Sequence, residues 1–214
     1  DRGAPERPGI VHRLDKDTSG VMVACKHSVA HDRLADLFST HDIERRYLLI
    51  CHGNVPLNCG TFDTWHGRHP KDRKRYTTRT QLLVGRRDRT ELAGDRAASL
   101  PRRAITRYQV IERVGAYSLV LATLATGRTH QVRVHFADAG HPLIGDPLYG
   151  GKRQRDAVST QLGRQALHAT LLAFTHPVTD APVRITTTAP VDFLTAAESI
   201  GFTSVDVDNI TGIQ

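Results

Sequence analysis

The chain has 214 residues, enough for one large domain or two small ones, and with 39% hydrophobic content it can bury a core without disulfide or metal staples. Its three cysteines, Cys25, Cys51 and Cys59, lack metal-ligand spacing, and no apolar stretch approaches the ~20 residues of a membrane span. The net charge of +7 falls wholly between His66 and Arg89, where nine basic residues face two acids; the remainder is balanced at 20 against 20.

In chain order, Asp1 to Pro8 reads as a loop, and Val21-Met22-Val23-Ala24-Cys25 as a buried strand. Ser28 is expected to cap a helix through about Ser39, with Ala30, Leu34, Leu37 and Phe38 on one face. Strands follow at Arg46–Gly53, Gly60–Trp65, Tyr76–Val84, Ala104–Arg113 and Tyr117–Leu124. Thr129 is expected to cap a helix reaching Ala139, stopped by Gly140. Two more strands, Leu167–Thr175 and Val183–Thr188, precede a last helix at Val191–Ile200. Many strands with few helices predict an antiparallel α+β fold: one catalytic domain over 1–202, its opening strands apparently missing, and a poorly patterned tail over 203–214. No signal peptide opens the chain, and its thiols suit a reducing compartment, so a soluble, cytoplasmic, monomeric protein with no membrane partner is expected.

Three polar clusters carry the candidate chemistry. His12-Arg13-Leu14-Asp15-Lys16-Asp17-Thr18-Ser19-Gly20 lies between two apolar runs, where a partly desolvated carboxylate held ionised by a cation is a competent nucleophile. The plainer reading is a turn in which Asp15 and Asp17 accept backbone hydrogen bonds. Gly127 to His135 offers a helix start with Arg128 at its mouth and Arg133 a turn inside, able to reach a buried carboxylate; an ordinary charged surface helix fits equally. Gly145-Asp146-Pro147-Leu148-Tyr149-Gly150 is a structured loop, and Tyr47 on its own is a strand aromatic. The histidines at 130, 135 and 141 with Asp138 and Asp146 also suggest a metal-dependent hydrolase, although five-residue spacing puts His130 and His135 on different helix faces. The basic window suits a phosphate backbone, as an enzyme or as a non-catalytic RNA-binding module.

Together the clusters resemble the RluA/RluD family of pseudouridine synthases. His12–Gly20 is similar to its HRLDxxTSG motif, Gly127–His135 to GRTHQ(I/L)RVH, Gly140–Gly151 to GHPxxGDPxYGG, and Leu167–Ala169 with His176-Pro177 to its later LHA…HP strand. The resemblance runs from about Gly9 to Pro190, and Arg7–Gly20 leans toward the RluD-like, large-subunit ribosomal branch. It departs at Arg46–Ile50, where Leu49 stands in place of the Ala of a KxYxA pattern. The resemblance implies a catalytic Asp15, a salt-bridging Arg133, Tyr47 against the target base and Arg13 entering the RNA where that base leaves. It also implies ribosomal RNA in preference to tRNA as partner, and neither cofactor nor metal. RNA contacts are expected from Arg13, Arg128, His130, Arg73, Lys74 and Arg75. The Tyr47 hydroxyl, or a base beside it, is expected to remove the proton from uracil carbon 5 after the ring reattaches, given a nearby cation.

Overall fold

The computed structural model describes residues 9–79, 100–152 and 156–205. Among these residues, eight strands form one sheet in the order β1-β7-β2-β6-β5-β3-β4, with β8 also on β7. They are β1 (Ser19–Gly20), β2 (Glu44–His52), β3 (Cys59–Arg68), β4 (Tyr76–Thr77), β5 (Arg102–Val114), β6 (Tyr117–Leu124), β7 (Leu167–Thr175) and β8 (Pro182–Thr186). The helices are α1 (Ser28–Thr40), α2 (Gln131–Asp138), α3 (Ala157–Leu162) and α4 (Val191–Ile200). β1 runs parallel to β7, whereas the β2, β5, β6 and β8 pairings are antiparallel, which makes the α+β sheet mixed.

β2 and β6 are central; β6 and the Leu48–Cys51 part of β2 are buried on both faces, as their apolar runs require. Because side chains alternate, Leu48, Ile50, Leu119 and Leu121 face α3 and α4, meeting Leu162, Phe193 and Ala197. Leu49, Cys51, Val120 and Ala122 face the other way, against Val132 and Phe136 of α2. A third cluster joins Leu34 of α1 to Ile43 and Leu172. The functional motifs gather on the α2 face, to which Tyr47 also belongs.

Several expectations need correction. The run at 21–25 is not a buried strand: only Ser19–Gly20 pairs with β7, and Met22 is 49% exposed. The Val23 amide instead donates to His12 Nε2, while Val21, Val23 and Cys25 pack beside α1 as an irregular strap. Neither expected side-chain cap forms. α1 starts after an extended His27, and α2 after His130 in the left-handed region at φ 57°. The Arg128 amide is taken up by the Gln131 side chain, not by Thr129. Cys51 is buried, but Cys25 is half-buried and Cys59 exposed, so the thiols are not uniformly interior. β4 is two residues long, and the rest of its expected span from 80 lies outside the described residues, as do Arg86, Arg87 and Arg89 and the tail from 206. Thr203 and Ser204, expected in the tail, donate their amides to Glu112 on β5.

Candidate active site

The loop bearing Asp15 is tied to β7 and to the residues just before it. Thr18 donates its amide to the Asp15 carbonyl at 3.0 Å, closing a turn in which Asp17 takes φ 68°. Gln165, almost fully buried, donates to the Lys16 carbonyl at 2.6 Å and to Thr18 Oγ1 at 3.1 Å. Ser19 Oγ lies 3.0 Å from His168 Nδ1. Gly20 has φ 119°, and a Cβ there would sit 2.2 Å from the Ala169 carbonyl oxygen, so only glycine lets the loop approach β7 this closely.

Facing this loop, α2 presents Arg133, 5% exposed. Its Nη1 donates to Asp15 Oδ2 at 3.2 Å, while Nε and Nη2 grip Asp146 as a bidentate pair at 2.7 and 2.8 Å. Asp146 is fully buried, and its Oδ1 also accepts the amides of Leu148 and Tyr149. Burial pulls the Arg133 guanidinium pKa down, but hydrogen bonding to Asp146 and the two carboxylate charges outweigh it, and the net shift is upward. Asp146 thus orients the arginine and leaves Nη1 to bond Asp15. The Tyr149 ring lies 5.2 Å beneath the Arg133 guanidinium carbon. Its hydroxyl accepts the Tyr76 amide and sits 2.9 Å from His130 Nδ1; burial lowers the pKa of this histidine, which fits a neutral ring accepting the phenolic proton.

These groups open onto a cleft of about 430 Å³, lined by Arg13, Asp15, Arg45, Tyr47, Arg128 and His130, with Val11, Leu124, Val132 and Leu167 as apolar wall. The cleft is of the size typical for a small-molecule site, apolar with a few convergent polar groups. Tyr47 is pushed up to about 12, chiefly by burial; Arg45 pulls the other way and Asp15 adds to the rise. The phenol is therefore a hydroxyl at neutral pH, and the nearby cation that the sequence reading asks for does not overcome burial.

Among the expected site residues, Asp15, Tyr47, Arg13, Arg128 and His130 line one cleft, and Arg133 stands behind it on Asp15. Arg73 and Lys74 lie exposed on the turn between β3 and β4, whereas Arg75 folds inward with its guanidinium 5.3 Å from the Tyr149 ring. The supposed metal ligands have other partners. His135 sits between Thr106 and Thr64 with its pKa lowered to about 4 by burial, and Asp138 accepts from Thr77 and Thr78. No group of three metal-binding side chains occurs among the described residues. Sequence reasoning left Asp146 without a role and passed over Arg45. The signal for Asp146 was Arg133 itself, since a buried guanidinium needs more than one acceptor.

The chain matches the family model described as RNA pseudouridylate synthase over residues 1–138. It is 39% identical over 197 residues to ribosomal large subunit pseudouridine synthase D of Xanthomonas campestris, covering 88% of this chain and 54% of that protein. The protein of the same name from Zymomonas mobilis is 40% identical over 193 residues, covering 89% of this chain and 55% of its own length. The chain thus spans about half the length of these curated relatives. Human RNA pseudouridylate synthase domain containing 1 superposes with a TM-score of 0.67 at 25% identity, over 84% of this chain and 68% of that one. With the family model matched over more than half its length, the chain belongs to the RNA pseudouridylate synthase family.

Proposed function

We propose that this chain is the catalytic part of an enzyme that isomerises uridine to pseudouridine in structured RNA, with large-subunit ribosomal RNA as the favoured substrate. The observation that carries the reading is Asp15, held at the cleft by one hydrogen bond from Arg133, which is itself clamped by buried Asp146. The names of the bacterial relatives support the ribosomal substrate.

The reaction breaks the bond between ribose C1′ and uracil N1 and makes one to carbon 5, with no change of oxidation state. No cofactor is required. Asp15 acts as nucleophile at C1′ or at uracil carbon 6, and Arg133 keeps its carboxylate ionised and aimed. The detached ring must turn without escaping, and the apolar wall with Tyr47 provides the slot. A base in a stem or loop is first turned out of its stack, with Arg13 at the cleft mouth placed to fill the gap. Arg128 and His130 at the rim, with Arg73, Lys74 and Arg75 on the neighbouring turn, hold the RNA around it.

The test is incubation of the protein with ribosomal RNA and counting of pseudouridines. Formation that persists in EDTA, with RNA folding maintained, is expected. RNA binding without formation would favour the non-catalytic module, and loss restored by zinc would favour a metal-dependent enzyme.

A further inference from the structure

Arg45 projects from β2 two residues before Tyr47 and therefore on the same face, into the cleft that Asp15 lines. It is 7% exposed, and its Nε and Nη2 are buried without a hydrogen-bond partner among the described residues. The Phe38 ring lies 5.7 Å from its guanidinium carbon. On another side lies Gly127, where a Cβ would come within 2.6 Å of Arg45 Nη1, so the bare backbone of the second motif makes room for this cation. Several other arginines have carboxylates: Arg133 has Asp146, Arg103 has Asp63, Arg164 has Asp192. A guanidinium stays charged at neutral pH, and one buried without acceptors destabilises the fold. A fold that keeps such a group beside its cleft is expected to use it there.

We propose that Arg45 is a catalytic residue that donates hydrogen bonds to a carbonyl oxygen of the target uracil and stabilises the negative charge gathering there as the ring is released. The inference rests on the pseudouridine synthase reading. If Asp15 attacks C1′, its oxygen bonds to C1′, the C1′–N1 bond breaks, and that electron pair leaves with the ring, spread over O2 and O4. If Asp15 attacks carbon 6, the C5–C6 π pair moves through carbon 4 onto O4. Both routes make a carbonyl oxygen anionic and need no further reactant. A cation already fixed in a water-poor site stabilises such charge without reorganising.

The experiment compares Arg45→Met and Arg45→Lys with the wild-type protein in single turnover, on one RNA carrying either uridine or 5-fluorouridine at the target. The readout is loss of the N-linked nucleoside, because fluorine at carbon 5 cannot depart as a proton. Arg45→Met is expected to slow loss of uridine by about 100-fold to 1000-fold, as removal of one oxyanion donor does, with RNA affinity little changed. Arg45→Lys should recover part of the rate. Fluorine stabilises the ring anion unaided, so the deficit of the Met variant should shrink by about tenfold on the fluorinated RNA. Partial unfolding would slow both substrates alike and leave their ratio unchanged. Equal deficits on the two RNAs, or a Met variant as fast as wild type, would overturn the proposal. A wild-type protein that forms no pseudouridine would overturn the functional reading beneath it.

Discussion

The two basic regions of this molecule use their cations in opposite ways. On α2, Arg133 is buried and spends every described donor on a carboxylate, two on Asp146 and one on Asp15. On the turn between β3 and β4, Arg73 and Lys74 stand in solvent, and most described hydrogen bonds of the turn stay within it: Arg68 Nη1 to the Arg73 carbonyl, the Lys74 amide to Asp72 Oδ1. A buried charge fixed by several bonds defines an atom's position, whereas an exposed one contributes a field that salt screens. The first region should therefore govern rate and stability, and the second affinity and its salt dependence. Net charge alone cannot separate them.

The most severe break on the buried side is Asp15→Asn. It keeps the shape of the loop and removes the proposed nucleophile, so pseudouridine formation should fall by several powers of ten while RNA affinity stays near wild type. Turnover above about 1% of wild type in a discontinuous pseudouridine assay would show that some other group does the chemistry. Asp146→Ala comes next. It leaves Arg133 buried with half its partners, and breaking a buried pair costs about 3–5 kcal/mol, measurable by urea unfolding. A loss under about 1 kcal/mol would mean that water replaces the carboxylate and that the network does not order the site.

Tyr47 tests the cleft itself. With its pKa raised to about 12, the phenol can serve as a base only through a rare phenolate. If it does, removal of the carbon-5 proton should quicken with pH through the neutral range in the wild-type protein, up to tenfold per unit. Tyr47→Phe keeps the ring, so base detachment should persist while tritium release from [5-³H]uridine RNA drops about 100-fold and loses its pH slope. Wild-type release by the Phe variant would leave Tyr47 as a stacking wall alone.

The sequence made some of this legible and hid the rest for identifiable reasons. Tyr117–Leu124, Leu167–Thr175 and Val191–Ile200 appear with the expected bounds, since each has an apolar pattern set by its own packing. Val21–Cys25 has an equally apolar pattern but leaves β7 after Val21 and makes only an isolated bridge, Ala24 to Ile10, because a lasting strand depends on pairing with β7, about 150 residues away. Composition left Asp15 and Arg133 open and only the resemblance paired them, as the Asp15–Arg133 bond does here; the buried acceptor that fixes Arg133 comes from a loop whose Asp-Pro sequence looks like an ordinary turn. Arg45 falls at the basic position of the KxYxA pattern, two residues before Tyr47, but only the Gly127 backbone and the Phe38 ring around it show that it is enclosed.

The exposed region carries the smallest expected effect, and salt is the way to isolate it. Phosphate contacts release condensed counterions, so the logarithm of affinity falls linearly with the logarithm of salt, with a slope of about 0.7 per contact on single-stranded RNA. Replacing Arg73 and Lys74 together by Gln should reduce the slope by about 1.4 if both touch phosphates, and weaken binding at low salt far more than at high salt. Arg75 should be replaced separately, because its guanidinium lies against Tyr149 and its loss reaches the buried network as well. The double variant should keep the wild-type single-turnover rate once RNA is saturating, since neither side chain lines the cleft. Adding Arg75→Gln should then lower that rate as well as the slope. An unchanged slope in the double variant would place the phosphates elsewhere, with Arg13 and Arg128 at the cleft mouth the next pair to replace. A lower saturated rate in the double variant would show that the turn positions the target base as well as holding the RNA, and the division between the two regions would fail.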